Sequence, residues 1–136
     1  MAKKKIYTIM KDGRPFTYSG FRYPNPWFPQ LTRPDEDQHN DDSLITDLPK
    51  EKYEEALEIL RTWFIKSEKT SRRHSSYGMK HWLEDAIDYY VSNNQLKDAM
   101  LMLGFKPGDW DELNWHFKVK PTPELKAFLE KTRRCW

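Results

Sequence analysis

The chain has 136 residues, enough for one domain with a hydrophobic core, so its size requires neither a disulfide nor a structural metal. Aromatic residues make up 15% of it, which argues against a disordered chain, and its one cysteine, Cys135, excludes an internal disulfide. The net charge is +2, but residues 1–34 hold seven Lys or Arg against one Asp, whereas residues 35–65 hold ten acids against three bases. Such blocks differ from the even basicity of many nucleic-acid binders and are typical of charge pairing within a fold, or of a basic face beside an acidic face.

The sequence contains no apolar run long enough to span a membrane, and Met1–Lys5 lacks the hydrophobic segment of a signal peptide. We therefore expect a cytoplasmic protein without a membrane partner. On length, residues 1–136 are expected to form a single domain.

Two short runs rich in β-branched and aromatic residues, Lys5–Met10 and Arg14–Tyr18, flank Asp12-Gly13. Both central positions of a type I′ turn need positive φ, so Asp-Gly between such runs predicts an N-terminal β-hairpin. Residues 21–29 contain three prolines and four aromatic residues, which predicts an extended segment lying against an apolar surface. The hairpin and this segment occupy residues 1–31, and residues 32–46 are predicted to form an acidic loop.

Apolar residues at three- and four-residue steps predict helices over most of residues 47–136. The first helix follows Asp47-Leu48-Pro49, and its predicted inner stripe is Tyr53, Ala56, Leu57, Leu60 and Phe64. A polar, basic linker over residues 66–73 precedes the second helix. This helix is predicted to begin at Ser75 or Ser76, and its inner stripe is Met79, Trp82, Leu83, Ala86, Ile87 and Tyr90.

The third helix is predicted over Asn93–Leu103, with Leu96, Ala99, Met100 and Leu103 inward. Ser92 lies three residues before Gln95, the spacing of a capping box, and Gly104 suits a left-handed helix end. Apolar residues at 115, 117 and 119 alternate with polar ones, which predicts a half-buried strand. Thr122-Pro123 predicts the start of a last short helix, with Leu125, Phe128 and Leu129 inward. The predicted fold class is α+β: a hairpin, a helical bundle and one strand.

The second and third helices are separated by only two or three residues, which predicts a helix-turn-helix-like pair followed by a wing-like strand. The third helix would then present its first residues outward, where Asn and Gln can read adenine in the major groove. The strand and the start of the second helix would contact phosphates. The predicted nucleic-acid-binding residues are Arg72, Arg73, His74, Lys80, Asn93, Asn94, Gln95, Lys97, His116, Lys118 and Lys120. The alternative is that Asn93 and Asn94 only begin a helix in an ordinary bundle.

Nothing in the sequence indicates an enzyme or a cofactor. The four histidines, His39, His74, His81 and His116, lack the spacing of known metal motifs, even if Cys135 is added as a ligand. No nucleophile elbow or glycine-rich phosphate loop is present. We therefore expect no catalytic residues, no metal and no cofactor.

Three stretches, Arg73–His81, Asn93–Phe105 and Asn114–Phe117, resemble a set of small uncharacterised proteins of bacteriophages and integrative elements of Gram-positive bacteria. The similarity covers residues 72–118, about a third of the chain, and no activity is established for that set. The order of elements is also similar, more distantly, to winged helix-turn-helix units of viral primases. The resemblance implies a phage or mobile-element protein in the host cytoplasm.

Two functions suit such a protein. The first is an accessory protein that binds nucleic acid, DNA rather than RNA, or a nucleoprotein complex. The alternative is an anti-CRISPR-like inhibitor of a host defence complex, acting through an acidic surface. Its predicted partner-binding residues are Trp27, Phe28, Asp35, Glu36, Asp37, Asp41 and Asp42. A third hypothesis is an adaptor that assembles through Trp27, Phe28 and Trp136.

Overall fold

The computed structural model describes residues 8–11, 14–17, 43–109, 112 and 114–136. Within these residues the chain is α+β and contains four α-helices. In chain order the elements are β1 (Thr8–Lys11), β2 (Arg14–Thr17), a 3₁₀ helix (Ile45–Asp47), α1 (Lys50–Trp63), β3 (Phe64–Lys66), α2 (Ser76–Ile87), α3 (Asn93–Met102), β4 (Val119–Pro121) and α4 (Pro123–Lys131). None of the described helices is long and apolar enough to cross a membrane.

The strands form two antiparallel pairs. β1 pairs with β2, and β3 pairs with β4 so that Phe64 lies opposite Pro121 and Lys66 opposite Val119. The Asp12-Gly13 turn, the aromatic and proline-rich segment and the predicted acidic loop up to residue 42 lie outside the described residues, so the N-terminal hairpin stays a prediction.

One hydrophobic core joins the four helices and the β3–β4 sheet. Its aromatic members come from both helices and strands, and each is at most 6% exposed: Trp63, Phe64, Trp82, Phe105, Trp115 and Phe117. Aliphatic side chains of α1, α2, α3 and α4 fill the space between them. The predicted inner stripes are confirmed at Ala56, Leu60, Met79, Trp82, Leu83, Ile87, Leu96, Ala99, Met100, Leu125 and Leu129.

α1 begins directly after Pro49, as predicted, but it ends before Phe64. The prediction that Phe64 extends the helical stripe is wrong, because this residue opens β3. The backbone carbonyl of Trp63 accepts a hydrogen bond from the Thr122 N–H at 3.0 Å, which turns the chain into the β3–β4 pair. Phe64 is buried all the same, at 2% exposure.

α2 starts after Ser75, as predicted, but it ends at Ile87 and not at Tyr90. Asp88 has φ 54° and ψ 50°, the left-handed conformation that ends a helix. Tyr90 is 67% exposed, so its predicted place on the inner stripe is wrong. The turn between α2 and α3 therefore comprises residues 88–92, longer than the two or three residues that the sequence suggested.

The predicted helix ends around α3 and α4 are confirmed. Ser92 accepts a hydrogen bond from the Gln95 N–H, and the Gln95 side chain accepts one from the Ser92 N–H, which is a capping box. Gly104 follows α3 with φ 90°, a conformation that glycine adopts without strain. Thr122 caps α4 through its hydroxyl, and Pro123 occupies the first turn.

The alternating stretch from Trp115 to Lys120 is confirmed in its burial pattern. Trp115, Phe117 and Val119 are buried, whereas Lys118 and Lys120 are exposed. Regular strand structure covers only Val119–Pro121, and an antiparallel bridge joins Phe117 to Pro107. A Cβ at Gly108 would clash with Thr70. Glycine is therefore required at this position, which directly follows the bridge residue Pro107.

We predict that Trp82→Ala lowers the free energy of unfolding by about 3–5 kcal/mol, because Trp82 is only 4% exposed and its loss leaves a cavity in the core. Chemical denaturation monitored by circular dichroism measures the change. As a control, Tyr89→Ala removes a ring that is 43% exposed and is expected to cost less than about 1 kcal/mol. Equal midpoints for Trp82→Ala and wild type would contradict the assigned core.

Candidate nucleic-acid interface

The turn between α2 and α3 is fixed by the carboxylate of Glu84. Its Oε2 accepts hydrogen bonds from Lys80 Nζ at 3.0 Å and from the Val91 N–H at 3.1 Å, and its Oε1 lies 2.9 Å from Nδ1 of His81. The Glu84 carboxylate thus connects the backbone of the turn, at Val91, to the side chains of Lys80 and His81 in α2. The two helices are packed against each other. This arrangement gives the first turn of α3 a defined position.

The first turn of α3 does not present all its polar residues to solvent. Asn94 and Gln95 are only 3% and 7% exposed, so the prediction that they point outward is wrong. Asn94 donates to the Ser43 carbonyl at 2.7 Å, and Gln95 completes the capping box. Asn93 is partly exposed, and its Nδ2 donates to Oδ1 of Asn114 at 3.0 Å.

Lys97 is also buried, at 1% exposure, and the prediction that it contacts phosphate from an outward face is wrong. Its ammonium lies 4.6 Å from the ring centroid of Trp115, within cation–π distance. The cause is the position of α3, which is contacted by α1, α2, the 3₁₀ helix and β2. A helix surrounded in this way cannot lie in a DNA groove with its polar side exposed.

Lys80 is only 6% exposed, and lysines are rarely buried to this extent unless their charge is paired. Its ammonium is paired with Glu84 and lies 5.7 Å and 4.8 Å from the ring centroids of Tyr77 and Tyr90. Lys80 is therefore a structural cation beneath two tyrosines and not a free phosphate ligand.

The exposed lysines of the strand region share one face. Lys118 and Lys120 are two residues apart on an extended stretch, and both are exposed. The Lys118 N–H donates to the Lys106 carbonyl at 2.9 Å, and Pro107 lies opposite Phe117, so Lys106 lies opposite Lys118. Directly opposed residues of an antiparallel pair project to the same side. Lys106, Lys118 and Lys120 thus form a cationic face, called here the lysine face.

No described carboxylate lies within ion-pair distance of the lysine face. The alternation of polar and apolar residues in the sequence predicts that Lys118 and Lys120 are exposed on one side. It misses Lys106, which stands alone before Pro107-Gly108, because only the tertiary pairing of residues 106–108 with 116–118 brings it there.

Three other predicted cations, Arg72, Arg73 and His116, have internal partners. Arg72 and His116 both contact the Glu112 carboxylate, at 3.4 Å and 3.1 Å. Arg73 is exposed and donates to the backbone carbonyl of Trp136. Each of these three residues therefore has an internal acceptor, although Arg72 and Arg73 are exposed and keep further N–H donors.

His74 belongs to an aromatic cluster and not to the lysine face. Its ring centroid lies 4.8 Å from that of Trp82 and 5.0 Å from that of Trp136, and Nε2 is buried without a hydrogen bond to the described residues. Burial, and secondly the charge of Arg73, lowers the pKa of His74 below its usual value of 6.5. The neutral imidazole is therefore the form that the folded chain favours.

Among the described residues there is no group of three or more His, Cys, Asp or Glu that could hold a metal ion. Trp136 is partly buried against Phe64, His74 and Trp82, so an adaptor role through an exposed Trp136 is not supported. The other residues predicted to bind a partner, Trp27, Phe28, Asp35, Glu36, Asp37, Asp41 and Asp42, lie outside the described residues.

Comparisons with protein-family models, curated proteins and solved structures found no match.

We predict that acid destabilises the wild-type chain partly through His74. The unfolded state protonates this histidine near its ordinary pKa, whereas the folded state resists protonation, so stability present at neutral pH is lost as the pH falls through 6.5 toward the lower folded value. Thermal melts from about pH 8 to about pH 5 should show a smaller decrease in Tm for His74→Gln than for wild type. The other three histidines are common to both proteins, so the comparison isolates the effect of His74. Parallel decreases in the two proteins would contradict the assignment.

Proposed function

We propose that this protein binds nucleic acid, and that the lysine face makes its main contacts, to backbone phosphates. The observation that carries the proposal is the alignment of Lys106, Lys118 and Lys120 on one side, with no described acidic partner. Surface ion pairs add little to fold stability, whereas ammonium groups that bind phosphates release condensed counterions and so gain binding free energy.

The order of elements supports the proposal. α1, β3, α2, α3 and β4 follow one another, and the chain before β4 bridges back to residue 107. This order resembles that of a winged helix-turn-helix unit, in which we expect the strands after the second helix of the pair to carry phosphate-binding residues. We propose that the lysine face serves as the wing.

The burial of α3 modifies the mode of binding that the sequence suggested. Asn94, Gln95 and Lys97 have structural partners, and of the predicted base-reading residues only Asn93 has a partly exposed side chain. Phosphate contacts position a protein on a strand but carry no sequence information. We therefore propose binding with weak sequence preference in the phage or mobile-element setting that the resemblance implies.

We predict that Lys118→Gln combined with Lys120→Gln weakens binding and lowers its salt dependence. Each lost phosphate contact reduces the slope of log K against log salt by about 0.9 on duplex DNA. Gel-shift titrations at several salt concentrations measure both quantities. The matched control is Lys126→Gln with Lys131→Gln, which removes the same charge from exposed positions of α4.

An equal loss in both double variants would assign the effect to net charge and contradict the lysine face. No shift of duplex or single-stranded DNA by wild type at about 10⁻⁴ M protein and low salt would contradict nucleic-acid binding itself, since non-specific affinity normally appears by then. That result would favour the alternative proposal, an inhibitor of a host defence complex. Charge reversal at Asp35, Glu36, Asp37, Asp41 and Asp42 would then be expected to abolish partner binding.

A further inference from the structure

Two tyrosine rings are held at the surface beside the α2–α3 turn. Tyr77 is 52% exposed and Tyr90 is 67% exposed, although both are large aromatic residues. Both ring centroids lie within 6 Å of the same ammonium, that of Lys80, so the two rings belong to one patch of surface. We call this patch the tyrosine platform.

The platform is fixed from beneath. Lys80 is nearly buried and is bound to Glu84, which also accepts from the Val91 N–H in the turn. Tyr77 has a second neighbour, since its ring packs edge-on against His81 with centroids 4.8 Å apart. The rings that would stack on a ligand therefore already have packing partners, so we expect a smaller loss of entropy on binding than for rings without such contacts.

The platform is joined to the lysine face by short covalent and hydrogen-bonded paths. Ser76, which precedes Tyr77, donates its N–H to the Trp115 carbonyl at 2.7 Å and accepts the Trp115 N–H on its hydroxyl at 2.9 Å. Trp115 is three residues before Lys118. On the other side, Asn93 links the start of α3, three residues after Tyr90, to Asn114.

From this arrangement we infer that the protein prefers single-stranded nucleic acid, with unpaired bases stacked on Tyr77 and Tyr90 while the lysine face follows the phosphates. The inference rests on the proposed function and adds the class of substrate to it. Stacking on exposed aromatic rings beside a basic groove is the common way in which proteins hold unpaired strands, because every base has a π-face. Bases of an intact duplex are already stacked on each other and cannot use the rings.

The two parts of the surface should differ in their response to salt. The charge of Lys80 is neutralised by Glu84, so the tyrosine platform contributes through stacking and releases few counterions. The lysine face contributes through phosphates and is screened by salt. Loss of the rings should weaken binding at every salt concentration by a similar factor.

The experiment compares wild type, Tyr77→Ala with Tyr90→Ala, and Tyr77→Phe with Tyr90→Phe. The probes are a labelled thymidine homopolymer and a duplex of the same length, each titrated at several salt concentrations by fluorescence anisotropy. Because the alanine pair removes two stacking rings, we expect it to lose about thirtyfold or more in affinity for the single strand and less than about twofold for the duplex, with an unchanged salt slope. The phenylalanine pair keeps both rings and should bind like wild type. Circular dichroism melts of both variants, and the single variant Tyr90→Ala, control for loss of folding.

The outcomes separate this inference from the proposed function. If wild type binds both probes and the alanine pair binds the single strand as tightly as wild type, or loses strand and duplex equally, the tyrosine platform is not a base-stacking site although the protein still binds nucleic acid. If the phenylalanine pair loses as much as the alanine pair, stacking is also contradicted. If wild type binds neither probe, the proposed function itself fails.

Discussion

The reciprocal hydrogen bonds between Ser76 and Trp115 set the relation between the helices and the strand region. Ser76 is fully buried at the start of α2, where backbone N–H groups have no partner within the helix. The Trp115 carbonyl satisfies one of them, and the Ser76 hydroxyl satisfies the N–H of Trp115 in return. A buried polar group without a partner costs about 1–3 kcal/mol. Moving the strand region away from α2 would break both hydrogen bonds and leave such groups at Ser76 and Trp115. Tyr77 directly follows Ser76, and Lys118 is three residues after Trp115, so this contact connects the segments that carry the two side chains.

The first turn of α3 has the Asn and Gln residues that suit a DNA-recognition helix, but its buried polar side chains stabilise the fold. Asn94 and Asp98 are buried, and both bind the backbone of the segment before α1, at Ser43 and Ile45. Buried polar groups are tolerated in a core when they have such partners. α3 is thus a structural centre of the fold. The exposed lysines and tyrosines of the proposed binding surface belong to residues before and after it.

Local signals predicted the features that depend on neighbouring residues. The capping box at Ser92, the left-handed glycine at 104 and the Thr122-Pro123 start of α4 follow from backbone chemistry within one helical turn, and all three are present. The apolar spacing predicts that α2 extends to Tyr90, but the helix ends three residues earlier, at Ile87, because Asp88 is left-handed and Glu84 accepts the Val91 N–H of the turn.

What the sequence could not predict depends on residues far apart in the chain. β3 is only three residues long and exists because Val119–Pro121 pairs with it. The burial of Asn94 and Lys97 follows from packing against elements that begin about 50 residues earlier, and propensity carries no information on that. The lysine face was predicted in part, since alternation marked two of its members, while Lys106 reaches it only through tertiary pairing.

The contact between Ile45 and Asp98 also determines where this protein can be shortened. The Ile45 N–H donates to the Asp98 carboxylate at 2.8 Å, and Leu44, Ile45 and Leu48 are themselves buried. A chain trimmed to the first residue of α1, Lys50, would uncover apolar surface around α3 and remove a donor from a buried carboxylate. Residues 43–48 therefore belong to the folded core, although they precede the first α-helix.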